Sequence, residues 1–145
     1  MINLEKLERE GKIEILEFKN DVSTSEKSAK ESGYPIEKIT KSILVIANNI
    51  PILVIIQGDK RINIEKLSKY LNTEVRLAKA REVERYTGFK IGGVCPLLVN
   101  TKKVLDKNIL NLDEVLIGGG DTHKLIKIKV KDLIELTNPE IIDIT

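Results

Sequence analysis

Cysteine, histidine and tryptophan are scarce or absent in this 145-residue sequence. It holds one cysteine, Cys95, one histidine, His123, and no tryptophan. A single cysteine excludes an intrachain disulfide, and one cysteine with one histidine is too few for a zinc site built from protein ligands alone. We therefore expect no metal site and no cofactor.

Long apolar runs are also missing. No stretch of the sequence approaches the roughly 20 residues that a membrane-spanning helix needs. Residues 1–11 carry acidic side chains and lack the apolar core of a signal peptide. We therefore expect a cytoplasmic protein with no membrane partner. The abundance of Ile, Lys and Glu without tryptophan favours a thermophilic source, on composition alone.

The common catalytic motifs are absent too. Ser-His-Asp chemistry would depend on His123, and no serine lies in a G-x-S-x-G turn. Neither glycine-rich segment matches a P-loop or a dinucleotide-binding fingerprint. The remaining candidates are backbone amides, one lysine and the polar run Asp121-Thr122-His123. Amides in glycine-rich turns bind anions or oxyanions without a catalytic side chain.

Charge is nearly balanced overall but unevenly distributed. The net charge is +2, yet residues 60–90 hold nine basic and four acidic side chains, a local +5 that leaves −3 elsewhere. This asymmetry suits either a solvated helix face or a surface that attracts a phosphate backbone.

Glycine, by contrast, is concentrated. Six of the nine glycines lie in two segments, Thr87–Pro96 and Gly118–Gly120. Glycine supplies a positive φ or lets another group approach the backbone closely. The two segments therefore form either two tight turns or one backbone-lined site. Gly88 follows a helical pattern and is expected to end that helix.

Hydrophobic periodicity predicts an α+β fold with more strands than helices. Two apolar strands, Ile39–Ala47 and Pro51–Gln57, flank an Asn48-Asn49 turn and should form a hairpin covered on both faces. The other predicted strands are Ile13–Phe18, Val75–Leu77, Leu97–Val99, Val104–Leu105, Val115–Ile117, Leu125–Val130 and Ile141–Ile144. Helices are predicted over Asn3–Arg9, between Ser23 and Gly33, between Asn63 and Tyr70, over Ala80–Tyr86 and over Lys131–Leu136. No repeat or linker divides the chain, so we expect residues 1–145 to form a single domain with a mixed sheet.

Lys41 and Cys95 are the side chains whose positions most need an explanation. Alternation along the strand puts Lys41 on one face with Ile39 and Ile43. There its ammonium must extend to solvent, find a partner or serve a site. At a site it would offer three donors and a positive charge to a phosphate or carboxylate. Cys95 is either a nucleophile or a small packed side chain.

Five short motifs, taken in order, resemble the YbaK/ProX family. They are Thr40-Lys41-Ser42 before an apolar strand, Gln57-Gly58-Asp59-Lys60-Arg61, Thr87-Gly88, Gly92-Gly93-Val94-Cys95-Pro96 and Gly118-Gly119-Gly120. The family comprises free-standing aminoacyl-tRNA deacylases related to the editing domain inserted in bacterial prolyl-tRNA synthetases. The resemblance, over roughly residues 23–145, implies a mixed, barrel-like β-sheet flanked by helices. It also implies hydrolysis of the ester between a wrong amino acid and tRNA, often tRNA for proline.

The resemblance further implies roles for individual residues. Lys41 matches the family's essential lysine near the 3′-terminal adenosine, and Gly92 and Gly93 match the loop whose backbone holds the aminoacyl ester. Asp121 and His123 fall in a loop where relatives place a functional Asp or His. The residues implied to contact the substrate are Thr40, Ser42, Arg61, Val94, Cys95, Pro96, Gly118, Gly119 and Gly120.

These features together predict a trans-editing hydrolase that removes a small amino acid from a mischarged tRNA. Its expected partners are the 3′ acceptor end of an aminoacyl-tRNA and an aminoacyl-tRNA synthetase. Cys95 replaces the family's usual serine and Leu97 a common aromatic residue, which leaves two alternatives open. One is a non-catalytic RNA- or nucleotide-binding module of the same fold, and the other is a small-ligand sensor that uses the glycine pocket.

Overall fold

Five helices and eight strands make up the computed structural model, which describes residues 1–145. The helices are α1 Leu4–Arg9, α2 Ser25–Ser32, α3 Ile64–Leu71, α4 Ala80–Thr87 and α5 Val130–Thr137. The strands are β1 Ile13–Glu17, β2 Thr40–Ala47, β3 Ile50–Gln57, β4 Val75–Leu77, β5 Lys102–Asp106, β6 Glu114–Gly118, β7 Lys124–Lys129 and β8 Glu140–Ile142. Short 3-10 helices cover Ile36–Lys38, Pro96–Leu98 and Lys107–Asn111. The α+β prediction is confirmed.

Local sequence signals set the ends of several helices. The side chain of Thr24 accepts a hydrogen bond from the backbone N–H of Lys27 and so caps α2, and Asn63 caps α3 in the same way. Gly33 and Gly88 adopt left-handed φ values of 76° and 79°, and their amides bond back to the final turns of α2 and α4. These residues have the capping roles that their sequence context predicts.

Two sheets divide the strands between them. One is an antiparallel sheet of three strands in the order β1-β7-β6, and the other is a mixed sheet in the order β4-β2-β3-β5-β8. In the mixed sheet β2 pairs antiparallel with β3 and β4, whereas β3–β5 and β5–β8 are parallel. The β2–β3 hairpin turns through Asn48 and Asn49, with φ values of 50° and 65°, as a two-residue turn with positive φ at both positions requires.

The three-stranded sheet and the mixed sheet meet near the start of β2. A parallel bridge joins Ile39 to Leu116 of β6. The next residue, Thr40, donates its hydroxyl to the Leu116 carbonyl at 3.1 Å. The bridge and the hydrogen bond fix the first residues of β2 against the three-stranded sheet, and a hydrophobic cluster that contains Ile55 of β3 and Ile117 of β6 packs between the two sheets.

The central strands carry apolar side chains on both faces, as predicted. From β3, Val54 and Ile56 enter a cluster with Leu67 of α3, whereas Leu53 enters another with Val83 of α4. Ile55 joins the core beneath the three-stranded sheet. Burial of each such side chain stabilises the fold by about 1.5–3 kcal/mol. This covered hairpin is a rigid platform for the end of β2 that carries Lys41.

Two of the predicted strands differ in the structure. The predicted strand Leu97–Val99 is replaced by the 3-10 helix Pro96–Leu98, in which the Leu98 amide bonds to the Cys95 carbonyl at 3.0 Å. Pro96 stands first in this turn, where its missing N–H costs nothing, whereas it would leave a gap in a sheet ladder. The final strand begins at Glu140 and ends at Ile142, short of the predicted Ile144.

None of the helices combines the length and apolar character that crossing a bilayer would require.

Candidate active site

A cavity of about 300 Å³ opens where α2, the start of β2 and the two glycine-rich segments meet. From α2 and the residues before it come Val22, Ser23, Thr24, Ser25, Glu26 and Ser28; from β2 and the residue before it come Ile39, Thr40, Lys41, Ser42 and Ile43. The opposite side is formed by Ile91, Gly92, Val94, Gly118 and Leu125. The cavity therefore brings together parts of the chain that are distant in sequence.

Lys41 is half-buried at this cavity. Its Nζ donates to the Gly58 carbonyl at 3.3 Å, and no carboxylate lies within ion-pair distance. Burial lowers the pKa of Lys41, the charge of Glu26 opposes that shift, and the charge of Arg61 adds to it. With one of its three donors bound to a carbonyl, the ammonium retains hydrogen-bonding capacity for a ligand.

Gly58 lets the end of β3 lie close to α2. A Cβ at this position would stand 2.8 Å from the Cβ of Ser25 and 3.0 Å from the Ile36 carbonyl oxygen. Its amide donates to the Ile39 carbonyl at 2.6 Å, and its own carbonyl holds Lys41. The missing side chain thus allows the approach that places Lys41 beside the start of α2.

Four hydroxyl groups near Lys41 divide into two kinds. Thr40 and Ser28 are buried, and their hydroxyls donate to the carbonyls of Leu116 and Val22 at 3.1 and 2.8 Å. The hydroxyls of Ser25 and Ser42 make no hydrogen bond within the chain, although both residues line the cavity. The hydroxyls of Thr40 and Ser28 therefore stabilise the cavity walls, and those of Ser25 and Ser42 remain available to bind a ligand or water.

The backbones of the glycine-rich segments lie close to each other and to the residue Ser23, just before α2. A Cβ on Gly118 would lie 2.0 Å from the Val94 carbonyl oxygen, and one on Gly92 would lie 2.7 Å from the Cβ of Ser23. Gly92 also has a φ of 87°, a region that side chains disfavour. A Cβ on Gly93 would lie 3.2 Å from the Cα of Asp121. These glycines form one wall by packing without side chains.

Backbone amides of this wall differ in what they bind. The Gly93 amide donates to the Lys90 carbonyl at 2.9 Å, which closes a turn. The amides of Gly92 and Val94, on either side, make no hydrogen bond within the chain, and both residues line the cavity. An unpaired amide in such a place is a suitable donor for a carbonyl or oxyanion.

Asp121 and His123 are exposed and lie outside the cavity lining. The Asp121 carboxylate accepts the His123 backbone N–H at 2.7 Å and lies 3.7 Å from Lys124 Nζ. The backbone carbonyls of Thr122 and His123 accept the amides of Val22 and Phe18 at 2.7 and 2.8 Å. The Asp121–His123 loop therefore holds the segment between β1 and α2 in place through these two backbone hydrogen bonds.

Cys95 is fully buried in the core and does not line the cavity. Burial raises the pKa of its thiol to about 11, so the thiol stays protonated and is a poor nucleophile. Of the two readings of this residue, packing agrees with its surroundings. We therefore leave Cys95 out of the substrate-binding set.

The sequence-predicted site residues fall into two groups in the structure. Those that line the cavity are Thr40, Lys41, Ser42, Gly92, Val94 and Gly118. Those outside its lining are Arg61, Gly93, Cys95, Pro96, Gly119, Gly120, Asp121 and His123. The second group includes close neighbours, such as Gly93, and residues that act at a distance, such as Arg61.

Sequence reasoning missed the side of the cavity contributed by the start of α2. In the sequence, the run Ser23-Thr24-Ser25-Glu26 indicates only the start of the predicted helix, yet Ser23, Ser25 and Glu26 line the cavity. The signal available was a cluster of hydroxyl side chains longer than a cap requires. Ile43, Ile91 and Leu125, which supply apolar lining, carry no distinguishing signal in the sequence.

Other concave surfaces lack these features. A larger, more open groove of about 820 Å³ lies at the far end of β2, lined mainly by polar residues that include Asn48, Asn49, Lys69 and Arg76. No group of three or more His, Cys, Asp or Glu side chains is arranged to hold a metal ion. The cavity beside Lys41 is therefore the candidate active site.

Similarity to known proteins identifies the class. The model of a family described as the aminoacyl-tRNA editing domain matches residues 19–136. A proline–tRNA ligase of Lactobacillus helveticus is 39% identical over 102 residues, which make up 68% of this chain and 18% of the ligase. The chain thus spans less than a fifth of such a ligase. Uncharacterized protein YwhH of Bacillus subtilis is 27% identical over 127 residues, 86% of this chain and 81% of that protein.

Solved structures support the same relationship. A crystal structure described as a candidate trans-editing enzyme for prolyl-tRNA synthetase superimposes with a TM-score of 0.87 and 29% identity, covering 96% of this chain and 91% of that one. The chain belongs to the aminoacyl-tRNA editing domain family. The family match and this structural similarity both place the chain among aminoacyl-tRNA editing domains.

Proposed function

We propose that this protein is a trans-editing hydrolase that removes a small amino acid from mischarged tRNA for proline or a related tRNA. The observation that carries the proposal is the cavity that Lys41 lines together with Gly92 and Val94, two residues whose amides are unpaired within the chain. The similarity to proline–tRNA ligases, which are themselves tRNA-charging enzymes by name, favours tRNA for proline. We further propose that residues 1–145 form one editing domain.

The proposed reaction is the hydrolysis of an activated ester. Water adds to the ester carbonyl, the bond to the ribose oxygen breaks, and the products are the free amino acid and a tRNA with its terminal hydroxyl restored. Negative charge develops on the carbonyl oxygen during the addition, so positioned donors lower the barrier. The amides of Gly92 and Val94 are the proposed donors, with Gly93 as the turn residue that aims them.

Lys41 is proposed to hold the terminal nucleotide. Its ammonium lies beside the start of β2 with donors to spare, and a positive charge there attracts phosphate oxygens or ribose hydroxyls of the 3′-terminal adenosine. An aminoacyl ester is already reactive, so fixing its orientation beside a water molecule supplies much of the acceleration. The unpaired hydroxyls of Ser25 and Ser42 are suited to orient that water.

The dimensions of the cavity favour a small amino acid. Its volume of about 300 Å³ must contain the ester and part of the ribose as well as the side chain. Val22, Ile43, Ile91 and Leu125 give part of its lining an apolar character. A pocket of this kind rejects larger side chains by size, which is the second sieve of an editing system.

Basic residues beside the cavity are proposed to contact the acceptor stem. Lys60 and Arg61 follow the glycine that holds Lys41, and Lys90 precedes the lining residue Ile91. All three side chains are exposed, and none forms an ion pair. Unpaired basic side chains on two sides of the cavity opening would bind the phosphate backbone of an RNA strand that enters between them.

A panel of mischarged tRNAs tests the proposal. The purified protein is incubated with tRNA for proline carrying Ala, Cys, Ser, Thr or Pro, and the loss of the ester is followed over time. We expect rapid hydrolysis of at least one small amino acid and sparing of Pro. Salt-dependent binding of tRNA without any hydrolysis would contradict the proposal and favour the non-catalytic RNA-binding module.

A further inference from the structure

Glu26 is the one carboxylate that lines the candidate active site, and Lys41 is the one cation. Glu26 lies in the first turn of α2, exposed at the rim, and its side chain makes no hydrogen bond or ion pair within the chain. Its charge raises the pKa of Lys41 against the effect of burial. The cavity lining therefore carries one negative and one positive side chain, and neither forms an ion pair within the chain.

Neighbouring carboxylates differ from Glu26 in this respect. The side chain and backbone of Ser23, and then Lys27, lower the pKa of Asp21 to about 2. The Asp21 carboxylate lies 3.2 Å from Lys27 Nζ, so its bonding groups are used within the chain. Asp59 and Glu31 do not line the cavity. Glu26 alone combines a free carboxylate with access to bound substrate.

We propose that Glu26 binds the α-ammonium group of the aminoacyl moiety. This inference rests on the proposed function, because it assigns a partner to one group of the ester substrate. An aminoacyl ester presents a cationic amine two bonds from the carbonyl that water attacks. Lys41 repels that amine, whereas Glu26 attracts it, so the ester binds with its amine toward the Glu26 carboxylate and away from the Lys41 ammonium.

Recognition of the amine gives the site a chemical selectivity apart from size. An ester with a free amine pairs with Glu26, whereas an ester whose amine is replaced or blocked loses that pairing and leaves the carboxylate alone. The enzyme should therefore favour aminoacyl esters over α-hydroxyacyl esters of the same shape. Glu26 acts here as a positioning residue, since it contacts the amine and not the reacting carbonyl.

The test pairs a change in the protein with a matching change in the substrate. Glu26→Gln keeps the shape of the side chain and removes its charge. Alanyl-tRNA and lactyl-tRNA differ by a hydroxyl in place of the amine and are otherwise alike. For each combination kcat/KM for hydrolysis is measured, so that the intrinsic reactivity of each ester cancels in the comparison. Glu31→Gln is the matched control on the same helix, because Glu31 bonds Asn20 at 3.0 Å outside the cavity.

We expect Glu26→Gln to lower kcat/KM for alanyl-tRNA about tenfold, the scale of a hydrogen bond to a charged group. The same variant should change kcat/KM for lactyl-tRNA less than about twofold. Glu31→Gln should leave kcat/KM unchanged for both esters. Equal losses for both esters in Glu26→Gln, or no loss for either, would overturn the inference while leaving the proposed function intact. Failure of the wild-type protein to hydrolyse any aminoacyl-tRNA would overturn both.

Discussion

Lys41 on β2 and Lys103 on β5 are both half-buried, and burial lowers the pKa of each. They differ in what surrounds the ammonium. Lys103 donates to the carbonyls of Val99 and Thr101, close to it in sequence. Lys41 donates to the Gly58 carbonyl alone and faces a cavity. Partial burial therefore does not distinguish a site lysine from a structural one; the unused donors and the open space beside them do.

The largest expected effect is the loss of activity in Lys41→Met. Methionine keeps an unbranched apolar stem and removes the charge, so the packing of β2 changes little. We expect kcat/KM for a mischarged tRNA to fall about 100-fold or more, the scale of losing a positioned donor. The melting temperature should stay near that of the wild type. A parallel fall in activity and stability would give Lys41 the structural role that we assign to Lys103.

Lys103→Met should show the opposite pattern. Removing its ammonium leaves the Val99 and Thr101 carbonyls without their donor. We expect the free energy of unfolding to fall by about 1–2 kcal/mol, as for an unsatisfied partly buried acceptor. Activity per folded molecule should remain within about twofold of the wild type, because Lys103 does not line the cavity and its replacement leaves the geometry of the site intact. Denaturant titration gives the first quantity and hydrolysis of the mischarged tRNA the second.

Arg61→Gln tests the surroundings of Lys41 and should have a smaller effect. If Arg61 contacts a phosphate, its loss raises KM about threefold, the scale of an exposed charge pair. The slope of log KM against log salt should then shrink by about 0.7–0.9. Lys66→Gln is the matched control, because Lys66 is exposed and pairs with Asp143 at 3.4 Å. An equal change of slope in both variants would contradict a specific contact at Arg61.

The Lys41–Lys103 contrast also marks how far the sequence alone could lead. Local rules predicted the β2–β3 hairpin and the caps at Asn63, Gly33 and Gly88, because turns and helix ends depend on residues close in the chain. They failed at Leu97–Val99, where Pro96 starts a 3-10 turn. Alternation placed Lys41 on a strand face, but no local rule distinguishes its surroundings from those of Lys103.

The candidate site was predicted in part for the same reason. The two glycine segments were recognised as unusual, and Gly92 and Gly118 do line the cavity. Their close contacts with Ser23 and Val94 are tertiary, so the sequence does not show which glycines pack and which face a ligand. The α2 side was missed because it meets Lys41 only through the approach that Gly58 allows. The family resemblance identified Lys41 as a functional candidate from the sequence, whereas Glu26 was identified only by its place in the cavity lining.

The smallest expected effect is a pH dependence of stability that the two lysines share. For each, the folded-state pKa is lower than the ordinary 10.5, so the unfolded chain binds more protons than the folded one between those two values. Stability therefore rises with pH across that window, and the desolvation cost is fully present below it. We expect the stability of the wild type relative to either Met variant to increase as pH approaches 10.5. Chemical denaturation at several pH values measures it, and a relative stability that stays flat or falls would contradict the assigned burial. Because desolvation is the largest cause of the lowered pKa at both lysines, this pH dependence should appear in Lys103→Met and Lys41→Met alike, whereas activity and the size of the stability loss should separate them.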